Sequence, residues 1–202
     1  MIKYIVPTLV VGALAGYIVS GASTGFPSTW ITDYMFTGSL YLLLFMMGLA
    51  FGINRDAGAK LKSRALQILL VPFAVAMGSI VGGLLAGLVF GLNVYGAMAV
   101  TAGYGWYTLT GPLLTQVLSA EWGALGFTTN FLRELITMLG VSVLVRVHKL
   151  APVAAGGATT MDTTLPVIIR YCGSDMLITA FSSGFTLSLI APFTVIALAS
   201  LV

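Results

Sequence analysis

Of 202 residues, 58% are hydrophobic and only 7% charged, with a mean hydropathy of +1.04. A soluble domain is about a quarter charged, so no soluble surface can be built from this inventory. The formal net charge of +3 would suit nucleic acid, but the Lys and Arg residues stand mainly between apolar runs, where the positive-inside rule accounts for them; nucleic acid is therefore excluded as a partner. A bilayer core takes about 20 mostly apolar residues per helix. Continuous runs such as SLYLLLFMMG at residues 39–48 do not show the alternating polarity of a β-barrel. The expected fold class is all-α: a polytopic integral membrane protein, with residues 1–202 as one transmembrane domain.

The first apolar span runs from about Ile2 to Val19. Lys3, the apolar stretch and the small residues at 20–23 have the outline of a signal peptide, whereas Pro7 and the Gly12–Gly16 spacing suit a retained, packed helix. A second span covers about Phe36 to Ile53. The loop after it, NRDAGAKLKSR at 54–64, holds Arg55, Lys60, Lys62 and Arg64 against Asp56, which places it in the cytoplasm. The third span, about Ala65 to Val89, contains Pro72 and offers Gly78, Gly82, Gly83 and Gly87 as a small-residue packing surface.

Between Asn93 and Ser119 the apolar signal breaks down around Gly103, Gly105, Thr108, Thr110, Gly111 and Pro112. At membrane depth such a break is tolerated only inside protein or beside a water-filled cavity, so it reads as a substrate-contact element. Tyr104, Trp106 and Tyr107 allow a second reading, an interfacial loop with aromatic anchors. The next segment, about Trp122 to Val145, is interrupted by Asn130, Arg133 and Glu134 and followed by Arg146, His148 and Lys149, basic residues that belong inside. A second broken stretch occupies about Gly156 to Gly173, and Asp175 to Val202 is the last span. Charge bias and crossing count agree only if both broken stretches re-emerge on the side they enter. Five crossings then surround two oppositely oriented re-entrant segments (about 93–119 and 156–173), with the N-terminus cytoplasmic and the C-terminus outside.

A charged residue mid-span costs about 2.5–3.5 kcal/mol on the insertion scale, so Arg133 and Glu134 need a reason. Adjacent helical residues point about 100° apart, which lets Glu134 face a cavity with Asn130 and Met138 while Arg133, flanked by Thr129 and Thr137, faces elsewhere. A purely structural pairing with neighbouring helices is the competing reading. Asp162, among Thr159, Thr160, Thr163 and Thr164 and ahead of Pro166, is the other acid at depth; two such carboxylates would attract a cation or carry a proton. Asp162 also reads as a helix N-cap, and a helix start there would offer amide donors to a substrate carboxylate. Asp33 and Asp56 fall in loops, Glu121 at a segment boundary and Asp175 at a helix start. Cys172 reads as a small buried apolar residue, and His148 as interfacial. No metal-ligand cluster, HExxH, GxSxG or P-loop pattern appears, and the Gly-x-Gly-Asp of intramembrane proteases is absent; neither an enzyme nor a cofactor is expected.

At GYGWYTLTG (103–111), NFLRELI (130–136) and GATTMDTTLP (157–166) the chain resembles the lysine exporter family LysO, in order and spacing. The resemblance implies a transporter exporting L-lysine or a close basic analogue. In that family the Glu of RELI and the Asp of MDxTLP are membrane-embedded acids needed for export, which carry over to Glu134 and Asp162. Arg133, Asn130, Thr160, Thr163, Gly105, Trp106 and Thr110 complete the expected substrate-binding or proton-coupling set, with protons and the lipid bilayer as further partners. Many members have an additional N-terminal membrane region, so the resemblance also implies a small membrane subunit that supplies the missing helices, or a homodimer.

Overall fold

The computed structural model describes residues 65–202 continuously. Before them it describes Pro7, residues 10–12 and 14–17, Tyr34, Gly38, Leu42, Phe45 and Leu49, all helical. These belong to one compact unit, Met1–Asn54, and the rest of the chain, Arg55–Val202, to a second. The two expected N-terminal spans and the basic loop at 54–64 otherwise lie outside the described residues.

From Ala65 onward every regular element is helical: α1 (Ala65–Phe90), α2 (Val94–Thr101), α3 (Tyr107–Val117), α4 (Ala120–Val147), α5 (Ala151–Gly156), a 3-10 turn (Gly157–Met161), α6 (Leu165–Cys172), a 3-10 turn (Ser174–Met176) and α7 (Leu177–Ala199). By length and composition, Leu69–Phe90 and Ser174–Ala199 suffice to cross a bilayer. At 1.5 Å per residue α4 is about 42 Å long, but Asn130, Arg133 and Glu134 interrupt its apolar run. Its outer face is nonetheless apolar, with Leu132, Ile136, Leu139, Val143 and Val147 exposed at helical spacing, and α1 shows the same with Phe73, Met77, Val81, Leu85 and Leu88. Water cannot be the solvent for such continuous stripes, whereas lipid can.

The four short helices are about 9–16 Å long by the same rise, well under a hydrocarbon core of about 30 Å. Each pair returns to the end it leaves. A Cβ on Gly96, early in α2, would strike the ring of Trp122 at the start of α4. Across the second pair, Lys149 Nζ and Asp175 Oδ2 stand 3.9 Å apart, so residues 150–174 begin and end side by side. Val153, Ile168, Cys172, Met176 and Ala180 bury a small apolar core that ties α5 and α6 to α7. Cys172 is thus the packed apolar residue that its surroundings suggested.

Packing of the glycines on α1 differs from expectation. Gly83 and Gly87 admit α2, since an added Cβ would meet Met98 and Thr101 at one and Val94 and Ala97 at the other, whereas Gly78 and Gly82 meet nothing within 4 Å. Four glycines read as one surface therefore form two faces, because 78/82 and 83/87 are i, i+4 rows that point about 140° apart around the helix.

Broken helices leave backbone groups unpaired, and α4 satisfies them. Asn130, 1% exposed, accepts the Gly105 N–H at 2.7 Å and donates to the carbonyls of Val100 and Gly126, both at 2.8 Å. It thereby spans the turn between α2 and α3, where Tyr104 (φ 52°) and Gly105 (φ 101°) adopt left-handed backbone. One turn later Arg133 donates to the carbonyls of Ala155 at 2.8 Å and Ala154 at 3.0 Å, at the end of α5, and to Ser79 Oγ of α1 at 2.8 Å. The two tips meet directly through Ala158 N–H and the Tyr104 carbonyl at 2.8 Å. Gly157 (φ 63°) lies so close to that carbonyl that a Cβ has no room. On the other side, Thr160 Oγ1 reaches the Ala180 carbonyl of α7 at 2.8 Å, and Gly184 packs against Ala158, Thr160 and Met161.

Two substitutions test this stitching. Asn130→Ala strands the Gly105 N–H and the Val100 carbonyl away from water, at about 1–3 kcal/mol for each group left unsatisfied; a drop of several degrees in the melting temperature of the detergent-solubilised protein is expected. Gly184→Val forces backbone apart at the second tip and should destabilise by about 1–3 kcal/mol. An unchanged thermal transition in both would contradict the role given to these contacts.

Candidate functional site

Along α4 the buried positions are Gly123, Gly126, Asn130, Glu134, Thr137 and Val141, a stripe with spacings of three and four that faces the broken helices. Thr137 thus shares the Glu134 face, rather than flanking Arg133 as expected, and its hydroxyl back-bonds to the Arg133 carbonyl at 2.8 Å. Glu134 is 4% exposed. Its Oε2 is buried and has no hydrogen-bond partner. The polar groups acting on it are the hydroxyls of Thr163 and Tyr107 and the carboxylate of Asp162. It therefore looks at both breaks: Tyr107 opens α3, and Asp162 and Thr163 lie between the 3-10 turn and α6.

Asp162 is exposed, so the two acids differ in access, one exposed and one enclosed. Asp162 Oδ1 accepts the N–H of Thr163 at 2.5 Å and faces its hydroxyl at 3.3 Å. The N-cap of α6 is Thr164, without a side-chain cap bond. Asp162 therefore braces its neighbour and does not cap the helix.

The other expected site residues divide by what their polar atoms already do. Thr110 Oγ1 donates to the Trp106 carbonyl at 2.7 Å. Thr160 Oγ1 contacts the Gly157 and Ala180 carbonyls, both at 2.8 Å, and the Gly105 N–H is held by Asn130. With Asn130 and Arg133, these side chains and this amide secure the breaks, and Arg133 also borders a cavity that it shares with Ser79, Leu150 and Ala154. Trp106, half-buried, is the N-cap position of α3, without a side-chain cap bond. Arg133 works on the α5 carbonyls, so its geometry is that of a brace. Glu134, Asp162 and Thr163 are the predicted residues that the structure brings together.

Tyr107 joins them, although the sequence suggested only an aromatic anchor. Its ring packs edge-on against Phe127 at 5.3 Å and Phe131 at 5.5 Å between centroids. Phe127, Phe131 and Glu134 are spaced i, i+4 and i+7 on α4, so a ring fixed on the two phenylalanines has Glu134 next along the helix. The signal was present in that spacing, but only the approach of α3 gives it meaning. Elsewhere, His148 is exposed beyond the end of α4, with Nδ1 accepting the Leu150 N–H at 3.1 Å, while Glu121 lies in the first turn of α4.

Comparison with known proteins converges on one family. The profile described as "Lysine exporter LysO" matches residues 6–199. The chain is 34% identical over 187 residues to "Lysine exporter LysO" of Escherichia coli, covering 90% of this chain and 62% of that protein. It is 25% identical over 159 residues to a Haemophilus influenzae protein described as "Putative lysine exporter", covering 78% of this chain and 80% of that one. The chain thus spans less than two thirds of the length of its Escherichia coli relative. No solved structure matches. A match over residues 6–199, joined to an apolar exterior around an enclosed carboxylate, places this chain in the lysine exporter family LysO, a family of membrane transporters and not of enzymes.

Proposed function

We propose that the chain exports L-lysine or a close basic analogue from the cytoplasm, with Glu134 and Asp162 receiving the cationic charge. The observation that carries this is Glu134 itself: a carboxylate 4% exposed, with Oε2 lacking a partner, enclosed between two helix breaks. An unpartnered buried carboxylate is costly unless a cation or proton visits it. With Glu134, Asp162 and Arg133 all ionised, the locale carries two negative charges and one positive, a formal excess of −1 that complements a basic amino acid. Asp162, the exposed acid, meets the cation first, and Glu134 receives it inside. Export by proton antiport follows if either carboxylate alternates between proton and substrate.

The arrangement supports five crossings in the plasma or inner membrane, N-terminus inside and C-terminus outside, with 93–119 and 156–173 as oppositely facing re-entrant segments in a single domain over 1–202. The contact between Gly96 and Trp122 and the Lys149–Asp175 pair supports the return of each segment to its own side. A second reading is a chain that works together with a small membrane subunit or a second copy, as a non-transporting subunit, or that carries another small solute.

Efflux from lysine-loaded proteoliposomes tests the site. Glu134→Gln and Asp162→Asn should each reduce lysine flux by at least about ten-fold, the scale of one lost charge-assisted contact; parent-like flux in both refutes the assignment. Reporter fusions at the 54–64 loop and at Arg146–Lys149 should both report the cytoplasm, and opposite sides would overturn the topology.

A further inference from the structure

Tyr107 is the residue of the first break that reaches both acids. It is 6% exposed and held by two edge-on contacts, to Phe127 and Phe131, whose own rings stack at 6.0 Å. An aromatic wedge with this support cannot swing without repacking α3 on α4. Glu134 and Asp162 both lie within electrostatic reach of its hydroxyl. Thr163 approaches from the other break, 3.3 Å from Asp162 Oδ1, and also interacts with Glu134. One hydroxyl from each break therefore stands beside the two carboxylates.

We infer that Tyr107 and Thr163 are specificity-determining residues whose hydroxyls, with Glu134 and Asp162, form a socket for a primary ammonium group. This rests on the reading of Glu134 and Asp162 as the cation site. The donor count argues for it. A hydroxyl carries one proton and two lone pairs, so in the empty site each can donate to a carboxylate and still accept a bond. An alkylammonium brings three N–H donors in a compact tetrahedral array. Glu134 Oε2, an Asp162 oxygen and a hydroxyl lone pair supply three acceptors. The aliphatic stem of a lysine-like substrate then lies along the fixed face of Tyr107, and a cation near that ring gains from its π-electrons. A guanidinium, planar with five donors in a rigid fork, fits a socket walled by a fixed ring and a helix break less well. The site is accordingly expected to prefer lysine and ornithine over arginine.

The test uses the intact chain, in whatever assembly supports flux, reconstituted in proteoliposomes with L-lysine. Tyr107→Phe keeps the ring contacts and removes the hydroxyl, and Thr163→Val does the same at a half-buried position outside the aromatic cluster. Each should raise the half-saturating lysine concentration by about ten-fold, the scale of one lost hydrogen bond to a charged group. Maximal rate should stay within about two-fold and the melting temperature should hold, because the rings that fix the wedge are untouched. Thr163→Ser, which retains the hydroxyl, should behave as the parent, and arginine should compete better against lysine in Tyr107→Phe than in the parent. Parent-like half-saturation in both hydroxyl-less variants, beside a Glu134→Gln variant that has lost flux, overturns the socket alone. Parent-like flux in Glu134→Gln overturns the acid site on which it rests. A lowered maximal rate at unchanged half-saturation also counts against the socket.

Discussion

A backbone that stops being helical inside a membrane must find partners in the protein, because lipid offers none. Here the chain breaks twice, between α2 and α3 and between α5 and α6, and much of the accommodation falls to one continuous helix. Asn130 holds the first break by two hydrogen bonds and makes a third to Gly126 of its own helix. Arg133 holds the end of α5 by two and reaches α1 with a third. The tips then bind each other through Ala158 and Tyr104. A guanidinium suits its position because it satisfies several carbonyls at once with a rigid fork of donors.

That division of labour explains why Glu134 is different. Asn130, Arg133 and Glu134 fall within five consecutive positions of α4, yet the first two are consumed by backbone and the third retains an unpartnered oxygen. Removing a structural polar residue from such a place would expose backbone groups, whereas removing Glu134 exposes none. The threonines of the breaks follow the same logic: Thr110 and Thr160 close their local carbonyls, leaving Thr163 beside the acids. Rigid stitching on one face of α4 thus leaves a small cluster of polar groups outside the stitching, with Asp162 exposed and Glu134 enclosed.

Much of this was legible in the chain itself. Continuous apolar runs placed α1 and α7 to within a few residues, since a span has only to be long and apolar. Glu134 announced itself as a charge where charge is costly, and the Gly and Thr clusters located both breaks. The roles of Asn130, Arg133, Thr110 and Thr160 were not legible, because their partners are backbone carbonyls and amides, which have no sequence signature. Tyr107 was missed for a related reason: an aromatic residue near glycines reads as an interfacial anchor until α3 is seen to lie on Phe127 and Phe131. The glycine rows of α1 likewise declare small size but not which row meets a neighbour.

The most direct measurement is an experimental structure of the transport-competent assembly, in lipid nanodiscs, with L-lysine bound. The account predicts an amine nitrogen of lysine at hydrogen-bond distance, about 3 Å, from the carboxylates of both Glu134 and Asp162, with Asn130 and Arg133 still on the backbone of the two breaks. Lysine seated elsewhere, with Glu134 enclosed and unoccupied or with Arg133 turned onto the substrate, would contradict it.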